Sequence, residues 1–264
     1  MINNEVKELI NSAVLKMIEN TGSASKLATL KAKHDEKMHF IPKRYRVFGG
    51  LLQSMNIQFG NFIEELMSVL ISNEERYEIL EEYSGKMSNA FLLSKTNDAR
   101  IDAYISNCQY GDVDVDVEFP KLLQAIVDDN DENTETFKHD IDLLFRDKVT
   151  GKIYYLESKY NDDHDTGKFV DINRKFIKTY AYLVREFGID SIDTLIPILF
   201  FFTNKKMKGN IYVPERTNIR RGKNFFDEFL HIQYEDVDEY LSSLSESDDV
   251  VEMFDDLYRR VMSI

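Results

Sequence analysis

The residues best suited to chemistry in this sequence are two carboxylates and a lysine. In Leu156-Glu157-Ser158-Lys159 the acid and the ammonium stand two positions apart, so on a β-strand both side chains leave from the same face. Upstream, Asp140 and Asp142 have the same spacing and share one face of a partner strand running through His139 to Phe145. Pairing the two strands brings acids and lysine to one point. Cleaving a phosphodiester near neutral pH needs an activated water and a stabilised leaving oxygen, and a bound Mg²⁺ serves both ends. Mg²⁺ takes hard oxygen donors and keeps several waters, so two convergent carboxylates plus substrate phosphate complete a site. Lys159 would then position or help deprotonate the water and balance the phosphate charge.

Those residues need a hairpin to hold them. His139 to Phe145 and Lys152 to Lys159 are both β-rich, and Asp147-Lys148-Val149-Thr150-Gly151 between them ends in a glycine that can supply the turn. Before the hairpin, Val113, Val115 and Val117 alternate with Asp112, Asp114 and Asp116, the period-two pattern of a half-buried strand. After it, Phe169, Ile172, Phe176, Ile177, Tyr180, Ala181, Val184 and Phe187 predict a long helix closed by Gly188, and Leu195 to Phe202 reads as a buried strand. At the N-terminus, Val6, Leu9, Ile10, Ala13, Val14, Met17 and Ile18 line one helix face. Phe62, Ile63, Leu66, Met67 and Leu70 mark a second helix after Gly60, running into the Glu-rich segment Glu74 to Glu82. Further helices are expected around Phe225 to Leu230 and Val250 to Met262. The order is helix, three strands, helix, strand, with helices at either end.

Asp142-Leu143-Leu144-Phe145, a short turn, then Glu157-Ser158-Lys159 resembles the D…EXK core of the PD-(D/E)XK nucleases. That superfamily has the same element order, with the acid and the EXK on the second and third strands. The usual proline before the aspartate is replaced by Ile141 if Asp142 is the ligand, or by His139 if Asp140 is. Asp142 is preferred, since an apolar run follows it, with Asp140 as the runner-up. The resemblance implies a mixed α/β (α+β) fold, a restriction-endonuclease-like core whose central mixed sheet is flanked by helices. It implies one domain over 1–264, with an N-terminal helical part to about residue 85 and a catalytic core from about 110 to 205. Many members add a helical glutamate to the metal site, for which Glu64 is the nearest match and Glu65 the second. Lys43-Arg44-Tyr45-Arg46-Val47-Phe48-Gly49-Gly50-Leu51, followed by Gly60-Asn61-Phe62-Ile63-Glu64, resembles the region before the core in HinfI-like type II restriction enzymes. This implies a homodimer that uses Mg²⁺ to cut double-stranded DNA at a short palindrome of the GANTC type.

A net charge of −14 opposes casual nucleic-acid binding, because non-specific affinity comes from Lys and Arg neutralising phosphates. The charge is uneven, however. Lys205 to Lys223 holds seven basic residues against Glu215 alone, while Glu235 to Asp256 holds ten acids and no base. Lys205, Lys206, Asn218, Arg220 and Arg221 are therefore candidate DNA contacts; arginine reads guanine and asparagine adenine by paired hydrogen bonds. Lys43, Arg44 and Arg46 are equal candidates for backbone contacts. Asp112, Asp114 and Asp116 are better read as a solvent-facing strand edge than as a second metal cluster, and His164 as part of a polar loop. Asp165-Thr166-Gly167-Lys168 lacks the upstream glycine of a phosphate-binding loop and has Phe169 where Ser or Thr should follow. Cys108, the single cysteine, forms neither an internal disulfide nor a zinc cluster, which points to a reducing compartment, the cytoplasm. The longest apolar run, Leu195 to Phe202, is far short of the roughly 20 residues a membrane span needs. Two rival readings remain: a structure-selective repair or recombination nuclease, and a catalytically inactive DNA-binding protein of the same fold. The intact acid pair and lysine count against the second.

Overall fold

The computed structural model describes residues 2–111, 113–162, 166–206 and 211–263. Asp112, His164 and Asp165, weighed above, lie outside the described residues, as does Lys208 of the basic segment. The chain forms two compact units, one from 1–69 with 231–264, the other from 70–230.

The first unit is helical. Helix α1 (Asn4–Thr21) opens on Asn3, whose side chain accepts the Val6 amide at 2.9 Å. The turn to α2 (Ala24–Asp35) passes close to the last helix: a Cβ on Gly22 would meet the Arg260 guanidinium at 2.8 Å and Leu257 at 3.3 Å. Helix α3 (Lys43–Ser72) then runs without a break through Gly49, Gly50 and Gly60. Those glycines read as punctuation in the sequence, yet each costs a helix only about 1 kcal/mol. The burial of Val47, Leu51 and Met55, four residues apart, offsets that cost. The other two helices of this unit, α8 (Tyr234–Ser245) and α9 (Asp248–Met262), come from the end of the chain, and Val250, Leu257 and Val261 join the same core.

The second unit carries the sheet. After α3 the Glu-rich segment is not helical; it contains β1 (Tyr77–Ile79), because Tyr77 packs edge-on against Phe145 at 5.3 Å. Next come β2 (Gly85–Ser94), α4 (Lys95–Gln109), α5 (Val115–Val127) and β3 (Thr134–Ile141). The expected Val113–Val117 strand is corrected by α5. Asp114 is its N-cap, accepting the Asp116 amide, and Phe119, Leu122, Leu123 and Ile126 bury one helical face. The alternation of valines is confined to the helix start, where it is overruled by the apolar stripe that follows.

The hairpin is β4 (Leu143–Asp147) and β5 (Ile153–Lys159), with Gly151 at φ +74 in its turn. Helix α6 (Thr166–Phe187), β6 (Leu195–Phe201), β7 (Ile219–Arg221) and α7 (Gly222–Phe229) follow. The five-strand sheet has the order β1-β4-β5-β6-β7; β1, β4 and β5 are antiparallel neighbours, and β5, β6 and β7 run parallel. The three-strand meander is thus β1, β4 and β5, and residues 85–141 form an excursion inserted between its first two strands.

Strand alternation builds two layers. Leu144, Ile153, Tyr155, Leu199 and Phe201 face a core shared with Phe176, Ile177 and Tyr180 of α6. Phe145, Tyr154 and Phe200 face the other way, onto Phe225 and Phe229 of α7. A mixed sheet between helices is the architecture expected from the sequence. No helix among the described residues is long and apolar enough to cross a membrane.

Candidate active site

The site forms where the chain changes sheets. Strand β3 pairs with β2 in a separate two-stranded ribbon, β4 pairs with β5 in the main sheet, and Asp142 is the single residue between β3 and β4. Leu143 is the register partner of Leu156, which sets Asp142 opposite Glu157. Asp142 Oδ2 accepts the Ser158 amide at 2.6 Å, fixing the carboxylate to the EXK strand.

Asp140 does not share that position. It lies on β3, and its Oδ1 accepts the Ser88 amide at 2.8 Å. Ser88 has φ +50 within the irregular stretch of β2, so Asp140 closes a bulge of the ribbon. The expectation that Asp140 and Asp142 share one strand face is thereby corrected: the switch between sheets after Ile141 sends the two carboxylates to different partners.

Glu157 and Lys159 do share a face, as their spacing requires. Lys159 Nζ lies 2.7 Å from Glu157 Oε1, 3.7 Å from Asp142 Oδ2 and 2.8 Å from the Ser158 carbonyl oxygen. Three oxygens therefore already surround one cationic nitrogen, which shows that this pocket can hold a positive charge by hard oxygen donors. The donor set suits Mg²⁺ or a similar hard ion. Among the described residues no three Asp, Glu, His or Cys side chains gather as a metal cage.

Glu157 is only 7% exposed. Burial is the largest single influence and pushes its carboxyl up, but the Lys159 ammonium and His139 together outweigh it and hold it at about 2. The second oxygen of Glu157, Oε2, accepts the Tyr155 hydroxyl at 3.2 Å and has His139 Nε2 at 3.9 Å, beyond hydrogen-bonding reach. Tyr155 and His139 were not read as site residues from the sequence. Tyr155 was accessible by the same rule that paired Glu157 with Lys159, being two residues before the acid; His139 reaches the site only because β3 crosses beside β5.

Glu64 is partly buried on α3 and Glu65 exposed; both belong to the first unit. The basic candidates divide by burial. Lys205 and Lys206 are exposed, Lys206 pairing with Glu215 at 3.1 Å. Arg220 pairs with Glu228. Asn218, in contrast, is buried and donates to the Pro197 carbonyl at 2.9 Å. Arg221 is buried between Asp162 at 2.9 Å and Glu215 at 2.6 Å, over the Phe201 ring. These last two tie β7 and the segment after β5 to the sheet. Near the start of α3, Arg44 is exposed, Lys43 pairs with Asp35, and Arg46 donates to the Lys37 carbonyl at 3.2 Å.

Comparison with known proteins agrees with the geometry. The family model described as "Type II restriction endonuclease, HinfI" matches residues 2–245. The "Type II restriction enzyme HinfI" of Haemophilus influenzae is 64% identical over 264 residues, covering all of both chains. No solved structure matches. The D…EXK hairpin on a mixed sheet and the full-length likeness lead to one conclusion: the chain belongs to the HinfI family of type II restriction endonucleases, the site-specific deoxyribonucleases.

Proposed function

We propose that the centre formed by Asp142, Glu157 and Lys159 hydrolyses DNA with Mg²⁺ held by the two carboxylates. The observation that carries this is the meeting of Asp142 Oδ2, Glu157 Oε1 and the Ser158 carbonyl around the Lys159 ammonium. Restriction enzymes of this type generally use a divalent metal, which activates water and neutralises charge on the leaving oxygen. Asp142 and Glu157 supply the anionic oxygens. The Ser158 amide keeps Asp142 in place, and the Tyr155 hydroxyl holds the second oxygen of Glu157, so neither carboxylate needs to reorganise. Lys159 balances the two carboxylates and, with a metal held by them, would orient the attacking water and offset charge on the scissile phosphate. Asp140 serves the ribbon that delivers Asp142.

The substrate is double-stranded DNA carrying a short palindrome of the GANTC type, and the working unit is a homodimer, because a two-fold protein matches a palindrome and puts one centre on each strand. Lys43, Arg44, Arg46, Lys205, Lys206 and Arg220 contact the duplex. Asn218 and Arg221 hold the backbone of that surface from behind.

Digestion of a plasmid of known sequence, with Mg²⁺ and with EDTA, tests the reading. Discrete fragments that need Mg²⁺ and vanish in Lys159→Ala and Glu157→Gln are expected, the loss being about a hundredfold or more per residue. Unbroken plasmid under every condition would overturn it; fragments from branched substrates alone would favour a repair nuclease.

A further inference from the structure

A cleft between α2 and α3 in the helical unit concentrates positive charge in a protein whose net charge is −14. It encloses about 620 Å³, and its lining includes Lys26, Lys33, Lys37, His34, His39 and Arg46 but no acid. Among the described residues, Lys26, Lys33, Lys37 and Arg46 have no carboxylate within ion-pair distance, unlike Lys43, which pairs with Asp35. The three lysines are exposed. Arg46 Nε and His34 Nδ1 are buried atoms without a hydrogen-bond partner. His34 is held below its ordinary range by burial and by Lys37, Arg46, Lys33 and His39 around it, which registers a local positive potential. The floor is narrow because Gly50 faces α2: a Cβ there would meet Leu30 at 3.3 Å and His34 at 3.5 Å. At the rim, Met38 and Phe40 are almost wholly exposed, and Phe40 stacks on His39 at 4.9 Å.

Lys26 and Lys33 stand seven residues apart on one side of α2, about 10 Å at about 1.5 Å of rise per residue, and Lys37 follows just beyond the helix end. Phosphates along one strand of B-DNA advance about 3.4 Å each along the duplex axis, so Lys26 and Lys33 span about three phosphate steps and Lys37 extends the row past the helix end. We propose that the α2–α3 cleft is a sequence-independent grip on duplex DNA that extends beyond Arg46: Lys26, Lys33 and Lys37 bind further backbone phosphates, and Phe40 packs against the sugars at its rim. The proposal rests on the nuclease reading above and adds the surface that overcomes an acidic chain's repulsion of its substrate. Cationic side chains facing a polyanion release its counterions. A second copy of the chain is the competing occupant, through its acidic Glu235 to Asp256 segment. The row of exposed lysines in an acid-free lining and the exposed aromatic rim favour the duplex.

The test is binding of two fluorescein-labelled duplexes of about 30 base pairs, one with GANTC and one without, in EDTA across a salt series. Lys33→Ala/Lys37→Ala is expected to weaken both duplexes alike, by roughly tenfold at moderate salt, and to reduce the slope of log affinity against log salt by about 2. Circular dichroism and the sedimentation coefficient check that the variant is folded and keeps its assembly. Binding by the unaltered protein with affinity and slope unchanged in the variant would overturn the grip and leave the nuclease intact. A variant that alters the sedimenting mass instead of the slope would assign the cleft to a second copy and overturn the proposal. Failure of the unaltered protein both to bind and to cut would remove the nuclease reading itself, and this proposal with it.

Discussion

At the level of single residues, Glu157 is an anion maintained by its neighbour. Its carboxyl is held at about 2 by Lys159 together with His139, against burial, the largest single influence. Its ordinary value is about 4.3, so the folded pKa is depressed. Glu157 therefore contributes stability that is complete above that ordinary value and is lost as pH falls toward 2. Replacing the ammonium with a neutral chain leaves burial unopposed. In Lys159→Met the Glu157 carboxyl is expected to titrate well above about 2, as seen by ¹³C NMR of labelled glutamate; an unchanged midpoint would show that Lys159 is not its counter-charge. The two-residue rule made Glu157 and Lys159 legible as a pair, and the apolar run after Asp142 separated it from Asp140 in the sequence. Sequence spacing gave no access to His139, since its nearness to Glu157 depends on a crossing between two sheets. Nor did it show that Asn218 and Arg221 are buried, because their basic and polar surroundings read as surface.

At the level of elements, the hairpin was legible because turn chemistry and alternation agree. Asp147 shows how firmly that turn is held. It is fully buried, its Oδ1 accepts the Val149 amide at 2.9 Å, and its Oδ2 takes the Arg76 guanidinium at 2.7 Å and the Thr150 hydroxyl at 2.9 Å. Asp147→Ala is expected to destabilise the protein by about 1–3 kcal/mol in urea unfolding, since it removes the charged acceptor of the hydrogen bonds that hold the turn. A loss below about 0.5 kcal/mol would show that the turn holds itself. Arg221→Met leaves Asp162 buried without its cation and is expected to cost about 3–5 kcal/mol by the same measurement; near-neutral behaviour would mean that water replaces the guanidinium. Two elements were misread for a common reason. Helix α3 passes through three glycines and α5 begins with a valine alternation, so local signals pointed one way while the longer apolar stripe decided the outcome. Strand β1, three residues long, is too short for any period to show.

At the level of the whole molecule, the homodimer proposed above brings one D…EXK set to each strand of the palindrome. Sedimentation equilibrium is expected to give twice the 30.9 kDa chain mass; a monomer at working concentration would require sequential nicking and a relaxed-circle intermediate. The mixed sheet between helical layers was legible from element order. The inserted ribbon and its two helices were not, because the strand meander is interrupted by residues distant in sequence from both of its ends.

That interruption has a use. The excursion over residues 85–141 leaves and returns at one place: Ser84 bridges Ile141, and the Ser84 hydroxyl accepts the Leu144 amide at 3.0 Å. Its two ends are thus pre-joined, as they are for a cassette. A chimera can exchange this cassette with that of a related enzyme without lengthening any connection in the sheet, provided the splice falls before Asp142. Moved one residue further, the same exchange would carry away an acid of the active site.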